Sequence, residues 1–505
     1  MRHSRGKLYF LLFCLSLLLL AAPPFFADGF GKNKIQYEAF DFQELDTEHF
    51  TIFYYSRERK PVYDCAQILE RWYAFYSKLL NTRFEHKQPV ILYADQPDFK
   101  QTNVIAGLIP QGVGGVTESL AYRMVIPLTP NYSDNEHVLG HELVHAFYFR
   151  MVRAYGAGAG AAPLWFAEGL AEYLSLGNFD PLTATWLRDA VINDDIPTLS
   201  QMTGDTRYFP YRFGHAIWAY LIGKSNSNMI SIFIDNVARY GWEKGISETW
   251  HMSSKELSAK WREDIKAYYE PYLKDKVPAR GPGVPLYTPL SESVFAPSIS
   301  PDGRFLVYIA RGQNFNLELF LVDATNGTII RRLTSSLTSE HFDSLRFINS
   351  SGSWSPDSSR FAFITTKNGD NHISIIDIKT NTTTADIALA PVQAISDIAW
   401  SPDGATLAIA GSSDGTSDLY LYNLASRELK RLTSDIYADL QPAWSPDGAA
   451  IAFVTNRGGN SFPKTFNFGR MRIAFYNVKS GKISLLPLFP GAKQINPRYA
   501  EDGKT

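Results

Sequence analysis

The hydrophobic and polar positions divide the chain into two halves with different periodicities. In the first half, short β-branched and aromatic runs alternate with longer segments in which apolar residues recur every three to four positions, which predicts strands and amphipathic helices respectively. Strands are expected in TEHFTIFYYS within 35–60, at 89–94 and at 123–128, and helices at 62–80, 133–148, 163–176, 182–193, 212–223, 227–240 and 254–274. This half is therefore predicted to be an α+β domain with a helical second part.

The second half repeats a Ser-Pro-Asp turn that is followed by alternating apolar residues. The motif occurs in SISPDGRFLVYIA, SWSPDSSRFAFIT, AWSPDGATLAIAG and AWSPDGAAIAFVT, with a weaker PRYAEDGKT at the end. Its aspartates are Asp302, Asp357, Asp403, Asp447 and Asp502, which are spaced almost regularly. A tight turn into an inner strand, repeated at the period of these aspartates, predicts all-β propeller blades. The recurring SPDG turns resemble the TolB-like propeller family over 290–505.

Changes in composition mark the predicted domain boundaries. Residues 277–292, VPARGPGVPLYTPLSE, contain four prolines and two glycines, which predicts a linker between a domain at 28–276 and the propeller repeats at 293–505. A propeller needs a closed ring to protect its edge strands. We therefore expect these blades to be incomplete or truncated, as part of a longer polypeptide; the alternative is an open propeller completed by a partner.

The amino terminus has the pattern of a secretory signal. Arg2, Arg5 and Lys7 precede an uncharged run at 8–22, which is short for a membrane span. We expect residues 1–27 to be a signal peptide and the protein to be exported, periplasmic or extracellular, with no stable membrane span beyond this segment. An uncleaved N-terminal anchor is the alternative.

Composition excludes some classes of function. Lys and Arg total 49 against 51 Asp and Glu, so there is no basic surplus that would indicate nucleic acid as a partner. Cys14 and Cys65 are the two cysteines, and removal of the signal leaves one, so no internal disulfide is expected. Cys65 lies in a helical pattern and is predicted to be a buried structural thiol.

The segment 133–148, SDNEHVLGHELVHAFY, carries the main candidate chemistry. His141 and His145 are four residues apart, so both imidazoles lie on one face of a helix and can hold one metal ion, with Glu142 beside them. An HExxH sequence arises by chance in about one chain in a hundred of this length. The prediction therefore depends on finding a third ligand.

Neighbouring residues predict where this helix begins and exclude one class of HExxH proteins. Ser133 and Glu136 have the spacing of a capping box, which predicts that the helix begins there. The metzincin pattern requires glycine and histidine where the chain has Tyr148 and Met151, so that class is excluded.

The third ligand is offered by WFAEGLAEY, which places Glu168 on the next predicted helix after His145. HExxH followed by W-x-x-E-G-x-A-E resembles the gluzincin zinc metallopeptidases. The resemblance implies that His141, His145 and Glu168 bind Zn²⁺ and that Glu142 is the general base for a zinc-activated water, which would make the protein a peptide hydrolase.

Further site residues follow from the same two helices. Glu172, four residues after Glu168, is expected to contact an imidazole N–H, that of His141 in the first instance; an ordinary solvated acid is the alternative. His137 is expected at the surface or beside the ligands, because a fourth protein ligand would close the site.

Oxyanion stabilisation is assigned to Tyr211. The sequence Tyr-Arg-Phe-Gly at this position resembles the Y-x-x-G of aminopeptidase N relatives, whose tyrosine has that role. His215 and Tyr208 are the other candidates. The alternative for Tyr211 is that its ring only packs in the core. The glycine-rich segment 112–119 is expected to be the edge strand that pairs with a peptide, or else a simple hairpin.

The sequence therefore predicts an exported zinc metallopeptidase that acts on a peptide or protein, with endopeptidase activity preferred over exopeptidase activity. The propeller is expected to bind substrate or an envelope protein partner. The competing hypothesis is a non-catalytic envelope scaffold in which the propeller performs the binding.

Overall fold

A computed structural model describes residues 36–55, 59–104, 109, 113–119, 121–129, 131–153, 155–156, 162–274, 294–311, 317–334, 344–345, 352–413, 415–458, 461–462, 465, 467–489, 492–500 and 502–503. The signal peptide predicted at 1–27 and the linker predicted at 277–292 lie outside the described residues. Among the helices in the part described, none is long and apolar enough to cross a membrane.

A mixed five-stranded sheet forms one layer of the first region. Its strands are β1 (Gln43–Asp46), β2 (Phe50–Tyr54), β3 (Gln88–Tyr93), β4 (Val116–Thr117) and β5 (Met124–Pro127). They lie in the order β1-β2-β3-β5-β4, with β2, β3 and β5 parallel and with β1 and β4 antiparallel at the edges. The glycine-rich segment thus supplies an edge strand that is joined to β5 as a hairpin.

Helices form the rest of this region. They are α1 (Arg59–Leu79), α2 (Gln96–Lys100), α3 (Tyr132–Arg153), α4 (Leu164–Leu176), α5 (Pro181–Ile192), α6 (Leu199–Gly204), α7 (Pro210–Gly223), α8 (Asn228–Tyr240), α9 (Trp242–Trp250) and α10 (Ser254–Leu273). The predicted strands and helices are present, and the helices α2, α6 and α9 and the strand β1 are additional. Large fully buried side chains, among them Trp165, Trp218, Trp261 and Phe147, form one core that also includes Cys65.

The predicted start of α3 is wrong. The helix begins at Tyr132, and Asn131 caps it by accepting the Ser133 amide on Oδ1 at 3.0 Å. Glu136, the expected partner in a capping box, pairs with Arg71 on α1 instead. An asparagine side chain can cap a helix as a serine side chain does. Asn131 therefore accepts the Ser133 amide, which a capping box would have paired with the Glu136 side chain.

A glycine on each of two helices lets α4 and α7 cross at main-chain contact. A Cβ atom on Gly169 would overlap the main chain of Gly214, and a Cβ atom on Gly214 would overlap the carbonyl oxygen of Trp165. The crossing brings together Glu168, which immediately precedes Gly169 on α4, and Tyr211, which lies one turn before Gly214 on α7.

The described residues of the second region form four antiparallel blades. They comprise β6 (Val294–Ile299), β7 (Phe305–Arg311), β8 (Leu317–Asp323) and β9 (Ile329–Arg332); β10 (Ser344–Leu345), β11 (Ser353–Trp354), β12 (Arg360–Lys367), β13 (Asp370–Asp377) and β14 (Thr382–Ala388); β15 (Ala394–Trp400), β16 (Thr406–Ser413), β17 (Thr416–Asn423) and β18 (Leu429–Arg431); and β19 (Asp439–Trp444), β20 (Ala450–Thr455), β21 (Arg472–Asn477) and β22 (Ile483–Leu485).

The Ser-Pro-Asp turns have one repeated geometry. In all four blades the serine hydroxyl donates to the aspartate two positions later at 2.5–2.6 Å and accepts the amide five positions after the serine at 2.9 Å. Adjacent blades are joined by indole N–H groups: Trp354 donates to the carbonyl of Ser298, and Trp444 to that of Ala399. Each of these four turns therefore orders the start of its own inner strand, and the turns that follow Trp354 and Trp444 also contact the preceding blade.

Candidate metal centre

Three side chains converge in the first region with the spacing of metal ligands. His141 Nε2 lies 3.1 Å from Glu168 Oε2, His145 Nε2 lies 3.2 Å from the same oxygen, and the two Nε2 atoms are 3.2 Å apart. In a tetrahedral zinc site with bonds of about 2.0–2.1 Å, ligand atoms are about 3.3 Å apart. Two imidazole nitrogens and one carboxylate oxygen at these separations fit one zinc ion.

The two helices fix this geometry. The four-residue spacing puts both imidazoles on one face of α3, and both histidines are buried. Glu168 reaches them from α4, which packs directly on α3. The predicted ligand residues therefore lie together, and each is held by a rigid element.

Glu172 lies behind the ligands, one turn after Glu168. Its Oε1 is 3.1 Å from Nδ1 of His141, although this approach is off the N–H direction of a hydrogen bond, and 3.3 Å from Nε2 of His137. Glu172 is 3% exposed, so it is not the solvated acid of the alternative hypothesis. It occupies the position expected of a group that orients an imidazole ligand.

Arg212 is a contributor that the sequence hypotheses did not include. Its Nη1 donates to Glu172 Oε2 at 2.9 Å and lies 3.3 Å from Asp180 Oδ2. Asp180 also caps α5 by accepting the Thr183 amide. A buried carboxylate requires a partner of opposite charge, and Arg212 supplies that charge while linking α4, α5 and α7.

The edge strand β4 holds Glu142. Thr117 Oγ1 lies 2.6 Å from Oε2 of the Glu142 carboxylate and 3.0 Å from its main-chain carbonyl oxygen. A Cβ atom on Gly115 would be 2.9 Å from Glu142 Cγ, so glycine is what permits the strand to approach this closely. Strand β4 is therefore next to the residue expected to act as the base.

Tyr211 faces the cluster, and the other oxyanion candidates do not share this contact. Its ring lies parallel to that of His141, with centroids 6.0 Å apart. Burial and the nearby carboxylates of Glu168 and Glu142 raise the pKa of Tyr211, so its hydroxyl stays protonated as a donor. His215 Nε2 instead donates to the carbonyl of Gly177, and Tyr208 donates to Asp195.

The histidines and carboxylates of the cluster shift one another's pKa values toward their charged forms. Burial alone would lower the pKa of His141, but contacts with the Glu168 and Glu172 carboxylates and the charge of Glu142 raise it to about 10. Burial opposes ionisation of Glu168, yet hydrogen bonds from His141 and His145 hold its pKa well below the usual range. Contacts with His137 and His141 have the same effect on the pKa of Glu172. The two carboxylates are thus ionised and available to a cation.

Comparison with known proteins identifies the propeller segment. The family model that matches is the TolB beta propeller domain (PD40), over residues 343–505, so the carboxyl-terminal region contains a TolB-like β-propeller. No curated protein matches the chain.

Similar solved structures include TolB from Acinetobacter baumannii, with 19% identity over 46% of this chain and 60% of that chain and a TM-score of 0.32. Another is the hydrazine synthase of Kuenenia stuttgartiensis, with 18% identity over 40% of this chain and 53% of that chain and a TM-score of 0.29. TM-scores this low carry no weight for the function of this chain.

Proposed function

We propose that the protein is an exported zinc metallopeptidase whose propeller binds substrates or an envelope protein partner. The observation that carries the proposal is the convergence of His141, His145 and Glu168 within 3.2 Å of one another. Glu142 follows His141 directly on α3 and is held by Thr117, so a base lies beside the ligand cluster. This combination is what hydrolysis by a metal-activated water requires.

Zinc bound at this cluster would supply a Lewis acid that polarises a peptide carbonyl and acidifies a water molecule. The residues of the chain perform the other steps. The Glu142 carboxylate accepts the proton of the attacking water and then delivers it to the leaving amine. Tyr211, held protonated, donates a hydrogen bond to the oxygen on which negative charge develops. Glu172 and Arg212 keep His141 oriented throughout.

The substrate proposed is a peptide or protein segment in extended conformation. Strand β4 is at the edge of the sheet and pairs on one side with β5. Such an edge can bind a peptide by main-chain pairing, and Thr117 on this strand contacts Glu142. Since the interior of a chain can lie along such a strand, we propose cleavage within chains rather than at their ends.

The location proposed for the protein is the periplasm or the exterior of the cell. The charged and apolar pattern of residues 1–27 supports this proposal. An exported peptidase with a propeller would meet protein substrates or partners of the cell envelope there.

A Glu142→Gln variant tests the enzymatic proposal. The amide has the shape of the carboxylate but cannot accept the proton, so we expect zinc to be retained while cleavage of a mixed peptide library, followed by mass spectrometry, falls by about a hundredfold or more. Glu248→Gln, at an exposed position on α9, is the control and should cleave normally. Zinc retention with unchanged cleavage in the Glu142 variant would show the mechanism to be wrong.

A non-catalytic scaffold is the second candidate. It is favoured by the family match at 343–505 and by a groove of about 640 Å³ between the second and third blades, lined by Arg360, Asp386, Tyr422 and Arg427 among others. On this hypothesis wild type and the Glu142 variant would bind the same envelope proteins, and neither would cleave a peptide even with zinc supplied.

A further inference from the structure

The fourth blade contacts the first turn of the metal helix α3. The contact is made by the loop between β20 and β21, here called the blade-4 loop, residues 456–471, of which 456–458, 461–462, 465 and 467–471 are described. The ring of Phe468 lies nearly parallel to that of Tyr132, with an interplanar angle of 17° and centroids 5.8 Å apart. Tyr132 is the first residue of α3 and is 2% exposed, so the stacking is part of a closed interface.

A second contact involves the residue that caps α3. Asn456 Nδ2 donates to Asn131 Oδ1 at 3.4 Å, the same oxygen that accepts the Ser133 amide. Both asparagines are almost completely buried, at 1% and 2% exposed. Asn456 Oδ1 accepts the amide of Ala438, which fixes the orientation of the side chain and directs its NH₂ group at the cap.

A third contact passes through α1. The Arg71 guanidinium donates to the main-chain oxygen of Thr465 in the blade-4 loop and also pairs with Glu136 on α3. Stacking, capping and ion pairing thus all act on the cap and the first five residues of the same helix. Glu136 is little more than one turn of helix before His141.

This arrangement has a mechanical consequence for the candidate metal centre. An α-helix moves approximately as a rigid rod, because main-chain hydrogen bonds join each turn to the next. His141 and His145 therefore follow any shift of the first turn, whereas Glu168 is on α4 and is held by α7. Loss of the first-turn contacts would change the separation between the histidines and Glu168.

We propose that the blade-4 loop positions α3 for metal binding, with Asn456 and Phe468 as positioning residues that act through Asn131 and Tyr132. The proposal rests on the zinc site of the proposed function but not on peptide hydrolysis. It assigns the propeller a role within the chain in addition to any binding of partners.

The test uses the full chain with single substitutions at the two positions. In Asn456→Ala and Phe468→Ala we expect faster hydrogen exchange of amides in the first turns of α3 and a zinc dissociation constant, from chelator competition, that is raised about fivefold or more. Phe468→Tyr keeps the stacking, so its hydrogen exchange and its zinc dissociation constant should both equal those of wild type. Phe489→Ala, at a propeller phenylalanine that is 69% exposed, is the matched control and should resemble wild type.

The outcomes separate this inference from the proposed function. Unchanged exchange in α3 and unchanged zinc affinity in both alanine variants would overturn the positioning role. A wild-type protein that binds no zinc would overturn both proposals. A wild type that binds zinc but cleaves no peptide would overturn the proposed function alone, and the effect of the variants on zinc affinity would then still decide the inference.

Discussion

Gly169 and Gly214 meet at main-chain contact where α4 crosses α7. Glu168, a candidate zinc ligand, precedes the first glycine, and Tyr211 lies one turn before the second. The distance between a ligand and the proposed oxyanion donor is therefore set by two residues that carry no side chain.

Gly214→Ala should disturb both stability and the metal centre. The added methyl group overlaps the Trp165 carbonyl oxygen, so the helices must separate, and we expect a loss of at least about 1–3 kcal/mol in the free energy of unfolding together with weaker zinc binding. Denaturant titration and chelator competition measure the two effects. Gly223→Ala on the same helix has open space at Cβ and should be neutral or stabilising; equal losses in both variants would contradict the account.

Arg212→Gln should weaken zinc binding without removing a ligand. Glu172 would lose its buried positive partner, and its carboxylate would no longer hold the His141 ring in the orientation needed to bind zinc. We therefore expect the zinc dissociation constant to rise about 10- to 100-fold. Arg207→Gln, a neighbouring arginine whose side chain is 71% exposed, is the matched control. The role assigned to Arg212 is wrong if both variants hold zinc as tightly as wild type in chelator competition.

Thr117→Val should lower the rate of peptide cleavage but leave zinc binding unchanged. Valine has the shape of threonine but cannot contact the Glu142 carboxylate, so we expect kcat to fall about tenfold, which corresponds to about 1.4 kcal/mol, while the zinc dissociation constant stays the same. Steady-state kinetics on a cleaved peptide gives kcat. Thr185→Val on α5, at an exposed position, is the control; an unchanged kcat in the Thr117 variant would remove this residue from the mechanism.

Zinc binding should strengthen as pH rises from 6 to 8. The pKa of His141 is raised from 6.5 to about 10. Protonation of His141 therefore stabilises the metal-free fold. This contribution is complete below pH 6.5 and is lost as the pH rises through about 10. Zinc requires the neutral imidazole, so its binding at pH 7 must release a proton. Calorimetry in buffers of different ionisation enthalpy measures this release. Equal affinities at pH 6 and 8, with no proton released, would contradict the protonation state described for the site.

The local parts of the candidate site were predictable from the sequence, and the parts that depend on packing were not. The spacing of His141 and His145 determines their common face whatever surrounds the helix. Thr117 and Arg212, in contrast, meet their partners only because β4 packs on α3 and α4 crosses α7. The signal for that crossing was a glycine within each of two otherwise apolar helices, at Gly169 and Gly214.

The fold shows the same division. Periodicity predicted the strands, the long helices and the four Ser-Pro-Asp turns, because each depends on a few neighbouring residues. The capping-box prediction at Ser133 and Glu136 was wrong because Asn131 competed for the same amide and Arg71 attracted the glutamate. The contact of the blade-4 loop with Tyr132 joins two regions that are distant in the sequence, which no local pattern encodes.

The zinc content of the purified protein tests the central claim most directly. After incubation with zinc and removal of the excess, elemental analysis should find one tightly bound zinc per chain in wild type and none in a His145→Ala variant that remains folded by circular dichroism. Less than one zinc per wild-type chain after zinc is supplied, or the same content in the variant, would contradict the assignment of His141, His145 and Glu168 as a zinc site.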